Sequence, residues 1–151
     1  MEEMKIRKAV ATERDVIVDF QVRMAQETED LGLDQATLTK GVQRLFDEPA
    51  KGTYWVVEYE GNVIACLLML TEWSDWRNGD VLWIHSLYVV AEHRGKGIFK
   101  QLYAFFKQQV EADEHLKGIR LYVEKENINA QKAYEAVGMT REHYDLYEWL
   151  K

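Results

Sequence analysis

Proline occurs once in the 151 residues, at Pro49, and cysteine once, at Cys66. A single cysteine excludes an intrachain disulfide. One proline and no Ser/Gly-rich run exclude a linker of ordinary composition. The longest apolar run, Val63 to Leu70, falls far short of the roughly 20 residues that a bilayer-spanning helix needs. The start, Met1-Glu2-Glu3-Met4, lacks the basic-then-apolar pattern of a signal peptide, so a cytoplasmic protein is the simplest expectation. Positive charge is in deficit. With 19 Lys and Arg against 26 Asp and Glu, the net charge is -7, which disfavours nonspecific binding to nucleic acid or to a membrane surface. The histidines His85, His93, His115 and His143 have no metal-ligand spacing, so no metal is expected. There is no internal repeat.

Hydrophobic residues make up 47% and charged residues 30%, a balance that predicts one globular domain over residues 1–151. Lys5 to Lys8 reads as a short strand. Thr12, with Asp15 three residues on, reads as the cap of a helix bearing Val16, Ile17, Phe20 and Met24 on one face. Asp34 can cap a second helix with Leu38, Val42, Leu45 and Phe46 inward. After a turn at Pro49 to Gly52, Thr53 to Tyr59 and Val63 to Thr71 predict an antiparallel hairpin. A loop is predicted over Trp73 to Asp80, then a strand over Val81 to Val90 and a helix from Gly97 to about Asp113. A strand over Ile119 to Val123, a helix over Ile128 to Val137 ending at Gly138, and a last strand over Tyr144 to Leu150 complete the order. This β-α-α-β-β-β-α-β-α-β sequence implies an α/β or α+β domain with a mixed, mostly antiparallel sheet and about four helices. The strands at 81–90 and 119–123 should be parallel neighbours, because a helix crosses between them.

The segment Val89 to Lys100 joins a strand to a helix and contains Arg94-Gly95-Lys96-Gly97. Glycines allow the chain to turn sharply and a ligand to come close. The free N–H groups at the start of a helix attract anions. Arg94, Lys96 and Lys100 place three cations within seven residues of an acidic chain. A phosphate-bearing ligand fits, although a plain turn with solvated cations has the same pattern. A Walker loop is absent, and a dinucleotide fingerprint fails because Lys100 stands where its third glycine belongs.

Ile84 to Val89 followed by Arg94-Gly95-Lys96-Gly97-Ile98 resembles the Arg/Gln-x-x-Gly-x-Gly/Ala signature of the GNAT superfamily of N-acetyltransferases. Arg94 and Gly97 match, and Phe99 departs from it. That departure requires the Phe99 ring to point away, towards the sheet or solvent. A second stretch, Asn127 to Met139, is similar to the family's Asn-x-x-Ala-x-x-x-Tyr-x-x-x-Gly-Phe, with Asn127, Ala130, Tyr134 and Gly138 matching and Met139 in place of an aromatic residue. The resemblance covers Val81 to Met139; before that it rests on element order alone. It implies acetyl-CoA as co-substrate, contacted by Leu87, Tyr88, Val89, Arg94, Gly95, Lys96, Gly97, Ile98, Phe99, Lys100 and Asn127.

It further implies acyl transfer from a thioester to a primary amine of a small molecule or peptide. Such transfer needs an amine without its extra proton, donors for the oxyanion, a proton for the departing thiolate and two substrates held together. The resemblance assigns the oxyanion to backbone groups of Leu87 to Val89, where the family's strand splays from its neighbour. It makes Tyr134 the acid, although Tyr134 also lies on a helical face with Ala130, Ala133 and Val137 that could simply be core. His85 is the candidate base, placed by alternation on the same strand face as Val89; Glu72 is the alternative. Asn127 contacts the cofactor, caps its helix, or both. Glu27, Glu72, Trp73 and Tyr144, with Glu29, Asp30, Asp75, Trp76 and Tyr147, offer carboxylates and aromatic faces suited to a cationic acceptor. A non-catalytic acyl-CoA sensor of the same fold and a nucleotide-binding module are the rival readings. Exposed aromatic residues would need cover, which a homodimer would provide.

Overall fold

The structure, a computed structural model, describes residues 3–141 and 143–151. Five strands form one sheet in the order β1-β2-β3-β4-β5. They are β1 (Lys5–Lys8), β2 (Thr53–Tyr59), β3 (Asn62–Ser74), β4 (Gly79–Val89) and β5 (Leu116–Leu121). The first four pair antiparallel, and β5 pairs parallel to β4. Four helices accompany them: α1 (Arg14–Glu29), α2 (Gln35–Asp47), α3 (Ile98–Ala112) and α4 (Ile128–Ala136). The predicted class and the parallel β4–β5 neighbours are both present.

Local chemistry sets the joints. Between β2 and β3, Glu60 and Gly61 both take positive φ, 50° and 77°, the conformation whose twist suits a two-residue hairpin. Asp34 caps α2 by accepting from the Thr37 N–H at 3.3 Å. The entry to α1 differs from the expectation at Thr12. A short turn at Ala11–Glu13 precedes the helix, and the Glu13 carboxylate accepts from the Val10 N–H at 2.9 Å. Arg7 on β1 donates to both Glu13 oxygens, at 2.9 and 2.8 Å, and reaches Glu58 on β2 at 3.0 Å. A glutamate bound at both oxygens by a guanidinium holds the turn more firmly than a threonine hydroxyl would.

The two faces of the sheet bury different partners. Val57, Ala65, Leu67, Met69, Leu82 and Ile84 pack on Ile98, Leu102 and Phe106 of α3. On the other face, Tyr54 packs with Ile17, Val18, Val42 and Leu45, and Val56, Cys66 and Tyr88 pack with Phe20. Helices α1 and α2 therefore cover β2, β3 and the Tyr88 end of β4 on that face.

Three boundaries moved. The loop expected over Trp73 to Asp80 shrinks to a tight turn, because β3 runs on to Ser74 and pairs it with Gly79. Strand β5 starts earlier and stops at Leu121 rather than Val123. Residues 144–150 form no strand here, since a strand needs a laddered neighbour and among the described residues none pairs with them. Alternation alone could not reveal that.

The Arg7 guanidinium holds the Glu13 carboxyl below the ordinary carboxylate range. A lowered folded pKa stabilises the protein above the unfolded pKa, and that stability is lost as pH falls through the folded one. Glu13→Gln should therefore cost about 1–3 kcal/mol near neutral pH. In urea titrations, the gap between variant and parent should close as pH falls through the acid carboxylate range.

Candidate active site

Strand β4 is paired to β3 along its length, but to β5 only as far as Ile84, which faces Leu121. From His85 onward the two parallel strands part. At the same place β4 carries an extra residue: Leu68 faces His85 while Cys66 faces Tyr88. Ser86 sits in this bulge with φ 54°, a left-handed conformation that costs a non-glycine residue about 1–2 kcal/mol. The buried Gln21 of α1 secures it, its amide reaching the Ser86 carbonyl at 3.5 Å. Bulges re-aim side chains beside functional sites.

One sequence expectation is corrected here. Alternation would have put His85 and Val89 on one face. The extra residue reverses the parity, so His85 shares its face with Tyr88, while Leu87 and Val89 pack against the α3-side core. The Val90 N–H bonds to Ile64 on β3 at 2.9 Å. Strand alternation then turns the backbone groups of Leu87 and Val89 the other way, into the gap left by β5. The Val89 carbonyl in that gap accepts from Arg94 Nε at 2.9 Å.

The strand leads directly into the glycine turn. Gly95 and Gly97 take φ of 74° and 76°, and a Cβ on either would meet nothing within 4 Å. The glycines thus serve the backbone path and leave open space beside it. Gly97 is the residue before α3 and offers no side-chain cap, so the first N–H groups of Ile98, Phe99 and Lys100 have no helical acceptor. Lys96 and Lys100 are exposed alongside. This cradle of open N–H groups and cations fits a pyrophosphate. Arg94 is already engaged: its guanidinium pairs with Glu27 of α1 at 2.6 Å and lies over the Tyr88 ring at 5.4 Å.

Phe99 turns towards α4 and stays partly exposed. Its ring meets Tyr134 of α4 edge-on, with centroids 4.9 Å apart. Tyr134 is partly buried, and desolvation raises its pKa, which keeps the phenol protonated. Asn127 caps α4, accepting from the Ala130 N–H at 3.2 Å. Gln131, missed from the sequence, is buried and ties the loop before α4 by donating to the Lys125 carbonyl at 2.9 Å.

His85 stands beside a Trp83–Tyr122 pair whose rings are 4.5 Å apart, stacked on Trp83 at 5.9 Å and edge-on to Tyr122 at 5.7 Å. Desolvation lowers its pKa, so the imidazole is neutral at physiological pH. Glu72 is held by Arg120 at 3.2 Å, and Arg120 also lies 5.9 Å from the Trp83 and Tyr144 rings. Trp83 Nε1 is, among the described residues, the one buried side-chain polar atom without a partner. The candidate acceptor-side residues stand in different places. Glu27 turns to the glycine turn, Glu72 to Arg120, and Trp73 and Trp76 stand exposed at the β3–β4 turn. Cys66 is 2% exposed and burial pushes its thiol up to about 12, so it cannot serve as an acyl-carrying nucleophile. No metal-holding group of His, Cys, Asp or Glu occurs among the described residues. No helix among them is long and apolar enough to cross a membrane.

The sequence profile of the acetyltransferase (GNAT) family matches residues 20–139, a span from α1 to just past α4. The chain belongs to the GNAT acetyltransferase family. A crystal structure of a possible acetyltransferase from Clostridium difficile 630 is 45% identical over 99% of each chain, with a TM-score of 0.90. Two more distant structures share this GNAT fold. The ribosomal-protein-alanine N-acetyltransferase of Brucella melitensis biovar Abortus 2308 is 15% identical, covering 99% of this chain and 100% of its own, with a TM-score of 0.80. An aminoglycoside acetyltransferase from an uncultured soil metagenomic sample, in complex with sisomicin, is 13% identical, covering 98% and 95%, with a TM-score of 0.75. Comparison with curated proteins gives no match.

Because no atom would meet a Cβ at Gly97, Gly97→Ala should cost only the backbone strain of its positive φ. We expect a loss of about 1–2 kcal/mol in urea denaturation, with the far-ultraviolet spectrum unchanged.

Proposed function

We propose that this GNAT protein is an acetyl-CoA-dependent N-acetyltransferase that acylates a primary amine of a small molecule or peptide in a ternary complex. The observation that carries the reading is the parting of β4 from β5 at His85, with the glycine turn at one end of the gap and His85 and Tyr134 contributed from different elements around it. Acetyl-CoA would supply an acetyl group activated as a thioester.

Each residue then has a task. The N–H groups at Gly97 to Lys100 receive the pyrophosphate, with Lys96 and Lys100 adding charge. The N–H groups of Leu87 and Val89, unused by β5, donate to the oxyanion as it develops. Neutral His85 takes a proton from the ammonium and frees the attacking lone pair. Tyr134 returns a proton to the departing sulfur. Its place against Phe99 fixes the ring, which gives the unusual residue at position 99 a role in aiming the acid. Glu72 is the weaker base, since Arg120 holds it as an ion pair. Trp83 and Tyr122 beside His85 offer aromatic faces to a cationic amine.

Release of CoA thiol, followed across a panel of primary amines, tests the reading. Calorimetric binding of acetyl-CoA with no amine-dependent thiol release would make the protein a sensor instead. Tyr134→Phe should lower kcat by about 10²-fold or more while acetyl-CoA affinity stays close to that of the parent. For His85, the lowered pKa puts the acid limb of kcat/KM below the ordinary imidazole value of 6.5. Activity should fall as pH drops through that limb, and His85→Gln should be slow and lack it. A parent-like acid limb in His85→Gln would remove His85 from the mechanism.

A further inference from the structure

Trp83 of β4 pairs in register with Arg120 of β5. The Trp83 and Tyr122 rings are 4.5 Å apart, and the Arg120 guanidinium lies 5.9 Å from the Trp83 ring. These three residues line a groove of about 660 Å³ that also reaches Tyr134. The chain carries a net charge of -7, but this groove has the opposite sign. Its described charged lining is Arg77, Lys107, Arg120 and Arg141 against Glu111 and Glu135.

Arg120 is only lightly committed. A guanidinium presents a fork of N–H donors, yet among the described residues Arg120 makes a single hydrogen bond, to one oxygen of Glu72 at 3.2 Å. Arg94, by contrast, is bonded to both Glu27 and the Val89 carbonyl. The Glu72 side chain is 52% exposed, so returning its carboxylate to water costs little. The Trp83 and Tyr144 rings meanwhile flank the Arg120 guanidinium. The cation is held while its anionic partner can be exchanged. His85 stands two residues along β4 from Trp83, a rise of about 6–7 Å. A small molecule with its amine at His85 and an anion at Arg120 would therefore lie along the Trp83 ring.

We propose, resting on the catalytic reading above, that the acceptor is a primary amine that also carries an anionic group, a carboxylate or a phosphate, and that Arg120 selects it. The anion replaces Glu72 on the guanidinium, where two parallel N–H···O bonds suit either group. The amine, a few bonds away, is presented to His85 between the faces of Trp83 and Tyr122. Its own ammonium offsets the anion, so the net negative charge of the chain repels such a molecule little. An acceptor with a second ammonium in place of the anion would meet Arg120 and the other cations of the groove.

Thiol release should be compared for β-alanine and its uncharged amide, for O-phosphoethanolamine and ethanolamine, and for putrescine as a dication. In at least one pair the anionic member should have a kcat/KM about 10–100-fold above its uncharged counterpart. The pair that shows the gain tells carboxylate from phosphate. Arg120→Gln should erase that preference through a higher KM for the anionic member rather than a lower kcat. Arg120→Lys, which keeps the charge without the fork, should recover part of it. Calorimetry of the same amines with protein saturated in CoA reads the site without turnover, and the preferred anionic amine should bind Arg120→Gln at least about tenfold more weakly. Equal rates and equal binding within both pairs, a preference for putrescine, or anion selectivity that survives Arg120→Gln would overturn the proposal. Anion-selective, Arg120-dependent binding without thiol release from any amine would uphold the Arg120 site and overturn the catalytic reading alone.

Discussion

One register constraint shapes the site: β4 carries a residue too many for β3 at Ser86, and its parallel ladder to β5 ends just before it, at Ile84. That constraint organises the molecule. The bulge at Ser86 shifts the register of β4 against β3, and β5 is released just upstream of it. The gap exposes backbone donors that a continuous sheet would consume. It also points His85 to one face and Leu87 and Val89 to the other. Helix α1 maintains the distortion through Gln21, and the strain at Ser86 is small beside the packing of Phe20, Val56, Cys66 and Tyr88 around it.

The acidity of the chain is managed locally. Glu27 and Glu72 alone would make the acceptor side strongly negative, but each is met by an arginine, Arg94 and Arg120. The exposed geometry of both pairs makes them weak contributors to stability. Their effect is on position: Arg94 is drawn back across Tyr88 towards α1 and bonded to the Val89 carbonyl, while Arg120 is spread over two aromatic rings.

What could be read in advance was what local spacing encodes. The order of strands and helices as far as α4 followed from apolar periodicity and turn residues. The glycine turn and the Asn127–Tyr134–Gly138 spacing marked the two helices that flank the gap. What could not be read depended on contacts distant in sequence. The bulge needs the β3 register, and Gln21 acquires its role only once α1 lies across β4. Phe99 looked like an obstacle to a close-lying ligand, because the position of α4, which gives the ring somewhere to go, was not evident. The short turn before α1, closed by Glu13 on the Val10 N–H in place of a Thr12 cap, depended on Arg7 arriving from β1. The segment at 144–150 has the alternation of a strand, but alternation does not name the neighbour.

The burial of Cys66 has a practical side. The one thiol of the chain lies between the sheet and α1, out of reach of solvent and far from its reactive anion at neutral pH. Colorimetric thiol reagents mixed with the native protein therefore meet a blank background. Any slow rise without substrate would time the opening of the packing between α1 and the sheet.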